Sequence, residues 1–215
     1  MMATREPEAT ASREAEPEVQ DLFGALPEQD EQVTARLHAR LAAAAAAEGI
    51  LDVAYRTVDT PLGTLLLAAT EQGLVRVAYP NQGHDAALAQ LAELVSPRIL
   101  NAPGRLDGMA RQLDEYFAHR RRAFDVPLDL RLSRGFRRDV LAHLRQIPYG
   151  ATESYTQVAA AAGHPGAVRA AGTACATNPV PIVVPCHRVV RADGSPGGYA
   201  GGPDAKRSLL TLEAA

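Results

Sequence analysis

Cysteine is nearly absent from this chain: Cys175 and Cys186 are its only two among 215 residues. Two thiols cannot build a disulfide framework, which sets aside the small, loop-rich secreted scaffolds. No positively charged opening segment leads into an apolar stretch, and no uninterrupted apolar run reaches the roughly 20 residues that a membrane-spanning helix needs. These absences predict a soluble, cytoplasmic protein. A positive net charge is missing too: the formal balance is -3, which argues superficially against a nucleic-acid partner. The charge is segregated, however. Residues 1–50 hold 4 Lys and Arg against 10 Asp and Glu, residues 51–130 hold 8 against 10, and residues 131–215 hold 10 against 5. The basic surface of the last segment either attracts phosphates, whatever the total charge, or is merely solvated.

What is present divides the chain in three. Residues 1 to about 30 are rich in Glu, Pro, Ala and Gln and poor in large apolar side chains, the composition of a disordered leader. Val33, Leu37 and Leu41 then recur at helical spacing ahead of an alanine run and Glu48-Gly49, so an alanine-rich helix closes this first part, residues 1–50. From Asp52 short β-type segments follow one another: Val53–Val58, Gly63–Ala69 and Leu74–Tyr79, separated by turn residues. Helical patterns over 84–95 and 107–119 come next, the second with Met109, Leu113, Tyr116 and Phe117 on one face, and 122–130 reads as a further strand. Residues 51–130 are thus expected to form a small α+β domain without a catalytic cluster.

Residues 131–215 read as helical. Ser133 is placed to cap a helix on which Phe136, Val140, Leu141, Leu144 and Ile147 make one stripe, and Pro148-Tyr149-Gly150 stops it. Two short helices, from Tyr155 to Ala162 and from Ala167 to Ala176, flank Gly163-His164-Pro165-Gly166. That pattern fits a helix-turn-helix or an ordinary helical hairpin. Behind it stands the most informative stretch, Asn178-Pro179-Val180-Pro181-Ile182-Val183-Val184-Pro185-Cys186-His187-Arg188-Val189-Val190. A cysteine attacks as its thiolate, and a pKa of about 8.5 leaves little of it at neutral pH without a neighbouring base or cation. His187 is the adjacent candidate, but neighbours in an extended strand point to opposite faces, so a tight turn or a bridging water is required. Pro185 pushes Val184 out of the helical region and favours such a break. An isolated Cys-His pair is otherwise a buried thiol beside a surface histidine.

That stretch, with Gly197-Gly198-Tyr199-Ala200-Gly201-Gly202 after it and Ser154-Tyr155 and Ala167-Val168-Arg169-Ala170-Ala171-Gly172 before it, closely resembles the active-site signature of the O6-alkylguanine-DNA alkyltransferases. The resemblance covers about residues 133 to 215 and is only architectural upstream. It implies an α+β protein: a small ribonuclease-H-like N-terminal domain, then a helical, winged-helix-like C-terminal domain with a helix-turn-helix. It implies single-turnover repair of O6-alkylguanine, and of O4-alkylthymine, in double-stranded DNA. The helix is expected in the minor groove and the protein is expected to act as a monomer.

The resemblance also assigns roles. Cys186 matches the alkyl acceptor, His187 its water-mediated base, Glu213 the carboxylate that orients the histidine, and Asn178 the brace of the reactive turn. Arg169 matches the arginine that fills the stack once the nucleotide has left it, and Tyr155 the tyrosine that assists the rotation. Ala170 and Gly172 are small residues that let the helix approach the groove closely. Val189 would offer its carbonyl to the exocyclic amine of guanine, while Tyr199 and Ala200 would line the alkyl pocket, Ala200 through its N–H. Some relatives bind structural zinc with N-terminal cysteines, but no cysteine precedes Cys175 here, and no metal or cofactor is implied. Two further readings use the same residues. Lesion-binding alkyltransferase-like proteins lack the acceptor cysteine, which is intact here. A Cys-His hydrolase would turn over without DNA.

Overall fold

The computed structural model describes residues 31–214. The expected disordered leader lies outside them. Helix α1 (Glu31–Ala47) matches the alanine-rich helix, but its apolar stripe faces solvent: Val33, Leu37 and Leu41 are 38%, 52% and 54% exposed. Its buried residue is instead Ala45, packed with Leu51, Ala54 and Ala102.

Strands β1 (Val53–Thr60), β2 (Gly63–Thr70) and β3 (Gly73–Ala78) form an antiparallel meander. A short β4 (Ile99–Asn101) adds to β1 in parallel, giving the order β3-β2-β1-β4. Alternate side chains of a strand leave opposite faces, and both faces of β2 are covered. Leu65, Leu67 and Ala69 enter the main core. Leu66 and Ala68 point the other way, toward Ala87 and Leu91 of α2 (His84–Leu94). Helix α3 (Asp107–Phe117) lays Met109, Leu113 and Tyr116 on the first face. That spacing is the one the sequence showed.

Two expectations fail nearby. Residues 122–130 form no strand: they touch β3 through one isolated bridge, Leu74 donating to the Pro127 carbonyl and Asp129 donating to that of Leu74. Proline has no N–H to extend such a ladder. The contact is close, for a Cβ on Gly73 would sit 2.2 Å from the Pro127 oxygen. Ser133, in turn, does not cap the next helix. Its N–H bonds to Leu130 and the residue is buried, while α4 (Phe136–Leu144) starts after Gly135, whose φ of +52° favours glycine.

Helix α4 buries Val140, Leu141 and Leu144, and Ile147 joins the same core beyond its end. Strand β5 (Glu153–Ser154) runs into α5 (Tyr155–Ala161), which a reciprocal capping box begins: Ser154 Oγ accepts from the Gln157 N–H, and Gln157 Oε1 accepts from that of Ser154. Helix α6 (Val168–Ala176) follows the glycine turn and packs on α4 and α5. After the reactive segment come β6 (Val189–Val190), paired in parallel with β5, and α7 (Gly202–Glu213). One apolar core joins β2, β3 and α3 to α4, α5, α6 and the reactive segment. The β-sheet therefore supports the helical half directly.

Candidate active site

Every residue from Asn178 to Val190 is buried. Asn178 organises the first part: its Oδ1 accepts from the Val180 N–H (3.0 Å), and its Nδ2 donates to the Val184 carbonyl (2.8 Å) and to Cys186 Sγ (3.2 Å). Ile182 turns the chain at φ +72°. Cys186, His187 and Arg188 then form one 3-10 turn, so the sulfur and the imidazole are not on opposite faces of a strand. The required break lies directly after Pro185.

Cys186 is 1% exposed. Burial pushes its thiol up to about 11, against the opposing pull of the Asn178 hydrogen bond and the Lys206 charge. At rest the sulfur is protonated. His187 is also buried, and burial lowers its affinity for a proton although Glu213 favours the charged form. Its Nε2 lies 2.9 Å from Glu213 Oε1. A carboxylate accepts only, so Nε2 carries the hydrogen and Nδ1 of a neutral ring is left as the acceptor. Nδ1 is buried and bonded to no protein atom.

Glu213 is the last residue of α7, and four groups converge on it. Oε1 accepts from His187, from the Tyr116 hydroxyl (2.6 Å) and from Arg188 Nη2 (2.8 Å); Oε2 accepts from Arg188 Nε (2.8 Å) and the Gly150 N–H (3.2 Å). Burial alone would raise this carboxyl, but the bonds from His187, Arg188 and Tyr116 outweigh it and hold Glu213 well below the usual carboxylate range. Arg188 also donates to the Ile147 carbonyl (2.5 Å).

Tyr155, at the start of α5, is half-buried; its ring faces Gly172 on α6, and its hydroxyl leaves no room for a Cβ on Gly197. Arg169 and Ala170 stand exposed on α6, and Arg169 has no ion-pair partner among the described residues. The Val189 carbonyl, expected near a guanine amine, accepts from Lys206 Nζ at 2.5 Å. The ring of Tyr199 meets that of His187 edge-on at 6.2 Å, and the Ala200 carbonyl accepts from Asn81. The structure thus brings Asn178, Cys186, His187, Glu213 and Val189 into one buried neighbourhood, with the half-buried Tyr155 and Tyr199 at its border. Arg169 and Ala170 lie on an outer helical face.

Four neighbours escaped the sequence reading. Helical spacing makes Tyr116 a core residue, Tyr79 ends a strand pattern, Arg188 belongs to the motif string, and Lys206, the only lysine in the chain, carries no sequence signal of its own. Lys206 is fully buried, 5.9 Å from the centre of the Tyr155 ring. No cluster of His, Cys, Asp and Glu among the described residues could hold a metal ion, and no described helix is long and apolar enough to cross a membrane.

Comparison with known proteins accounts for most of the described chain. Residues 53–130 match the ribonuclease-like domain, and residues 135–215 the DNA-binding domain, of 6-O-methylguanine DNA methyltransferase. The chain belongs to this family. A methylated-DNA–protein-cysteine methyltransferase of Mycolicibacterium paratuberculosis is 44% identical over 75% of this chain and 92% of its own. The crystal structure of the Mycobacterium tuberculosis O6-methylguanine methyltransferase, 41% identical, superposes with a TM-score of 0.67 over 75% of this chain and 93% of that one. The M. tuberculosis protein has also been solved in complex with DNA; that structure, again 41% identical, matches with a TM-score of 0.66 over 75% and 92%. The α+β architecture, ribonuclease-like first and DNA-binding second, is the one the resemblance implied.

Proposed function

We propose that this protein repairs O6-alkylguanine in double-stranded DNA by moving the alkyl group irreversibly onto Cys186, once per chain. The observation that carries this reading is the convergence of Asn178, Cys186, His187 and Glu213, all buried, in one hydrogen-bonded cluster. Its family relatives are named for methyl transfer from DNA to a protein cysteine, and one of them has been solved with DNA bound.

The thiol proton leaves through a bridging water to His187 Nδ1, whose gain of charge the Glu213 carboxylate stabilises. The sulfur attacks the alkyl carbon as the carbon–O6 bond breaks, and its electron pair stays with the guanine. One proton returns to the base, leaving neutral guanine and a thioether. A thioether is a poor leaving group and no second thiol belongs to the turn, so the chain is consumed. A base stacked in a duplex cannot reach a sulfur that is 1% exposed, so the nucleotide must rotate out. Arg169 would occupy the space left in the stack from the minor groove, with Tyr155 guiding the rotation and Ala170 and Gly172 permitting close approach. Val189, Tyr199 and Ala200 would hold the base and its alkyl group. The O4-alkylthymine substrate, a monomeric state, a cytoplasmic site of action and the division into residues 1–50, 51–130 and 131–215 belong to the same reading.

The test is stoichiometry. Repaired guanines are counted against protein chains with methylated duplex in excess. The reading expects one guanine per chain at completion; continued release beyond one would instead indicate a turning-over hydrolase or transferase.

A further inference from the structure

The ribonuclease-like half carries no residue that the sequence placed in the reaction, yet its third strand grips the reactive region at two places. The Val77 N–H donates to the Pro179 carbonyl (2.8 Å), one residue after Asn178. At the strand's end Tyr79, 1% exposed, sets its hydroxyl 2.9 Å from that of Tyr199, with the two rings edge to face at 5.7 Å. The same loop is held twice more. Asn81 Nδ2 donates to the Ala200 carbonyl (3.1 Å), and the Tyr79 ring fills the space beside Gly201, where a Cβ would stand 2.7 Å from it.

Tyr199 in turn presents its ring edge-on to His187. Among the described residues, its contact with Tyr79 is the one hydrogen bond its hydroxyl makes. A phenol ring held at one end by packing and at the other by a hydrogen bond has one orientation; released at the far end, it can turn about its two side-chain torsions. Burial pushes both phenols up, so both stay protonated and either can donate to the other.

We propose that Tyr79 is a positioning residue for specificity: by fixing Tyr199, whose ring stands edge-on to His187 beside the acceptor, it limits the size of the alkyl group accepted at Cys186. This deepens the function proposed above and rests on it. The class of ligand concerned is guanine with a bulky O6 substituent, for which O6-benzylguanine is the probe, against O6-methylguanine as the small reference.

Transfer from each base is measured on the full chain carrying Tyr79→Phe, which keeps the ring and removes the hydroxyl. The ratio of benzyl to methyl rates is expected to rise about tenfold, the scale on which small changes in a pocket discriminate between substituents. Lost folded protein lowers both rates alike and leaves the ratio unmoved, so the ratio separates positioning from structure. Tyr199→Phe, which removes the other half of the same bond, should shift the ratio in the same direction, and the double variant should add little to either single one. Should Tyr79→Phe fail to fold, Asn81→Ala on the exposed side of the loop is read instead, with a smaller rise expected. An unchanged ratio in a protein that still transfers methyl overturns the inference and leaves the proposed function standing. If the unmodified chain transfers neither group, both fall.

Discussion

Helix α6 and the turn that follows it are separated by Thr177 alone, yet they solve opposite problems. The helix shows solvent Arg169, Ala170, Thr173 and Ala176, while no residue from Asn178 to Val190 is exposed. A surface that meets a duplex must be open and narrow; a nucleophile kept from bulk water must be enclosed. Each region also has a cysteine, and burial does not tell them apart: it pushes Cys175 up to about 12 and Cys186 up to about 11. What separates the two thiols is the hydrogen-bonding company of Cys186, namely Asn178 at its sulfur and the His187–Glu213 pair on the same turn. Preorganisation rather than acidity at rest marks the acceptor.

The largest break in this comparison is Cys186→Ala. Methyl transfer should fall below detection while binding to methylated duplex, followed by gel shift, is retained, because the sulfur contacts no phosphate. Cys175→Ala should leave transfer in place. Loss of transfer in both variants would mean that the two thiols are not distinguished as described.

Glu213→Gln addresses the company rather than the thiol. It should slow transfer about a hundredfold near neutral pH, the lower range for a positioned base, and the deficit should narrow as pH rises toward the thiol's value of about 11. A deficit equal at every pH would point to misplacement of the turn. Removing this carboxylate leaves Arg188 buried without its partner, so Tyr116→Phe is the gentler companion. It removes one hydrogen bond to a charged group, about 1.5–3 kcal/mol of stability by denaturant titration.

On the open side, Arg169→Ala should slow repair in duplex DNA about tenfold or more, since unstacking is no longer compensated, with little change on a free guanine-base substrate. Equal losses on both substrates would move Arg169 from recognition to structure.

The buried network also sets a pH dependence of stability. The folded pKa of His187 is depressed, so the unfolded chain binds its proton more readily; that contribution is present above about 6.5 and fades below it. The folded pKa of Glu213 is depressed too, so its contribution is full above about 4.3 and is lost as pH falls further. Both act in one direction, and the melting temperature should decline in two stages on acidification from neutral pH. Asp129 is depressed as well, so the Glu213→Gln variant should show a smaller lower stage rather than none; if that stage is undiminished, the Glu213 carboxylate does not stabilise the fold in this way.

Much of the pair of helices α5 and α6 was legible because its signals are local. The glycine turn and the small residues around Arg169 lie within a few positions of one another. The reactive residues Cys186 and His187 are adjacent in the chain, and Pro185 announced the turn between them. The support was less legible because it arrives from far away. Tyr116 reaches Glu213 across 97 residues and Tyr79 reaches Tyr199 across 120. Helical spacing placed Tyr116 in the core correctly, but periodicity assigns a face and not the partner of a hydroxyl at its tip. The missed strand Ile99–Asn101 is too short to show a period, and the strand expected at 122–130 was interrupted by Pro127. The Val33, Leu37 and Leu41 stripe identified a helix correctly without identifying what it buries.

The comparison of the two thiols is tested most directly by locating the transferred group. The chain is incubated with methylated duplex, digested, and each cysteine-containing peptide is weighed. The account predicts one methyl on the peptide holding Cys186 and none on that holding Cys175. A methyl on Cys175, or repaired DNA with both peptides unmodified, would contradict it.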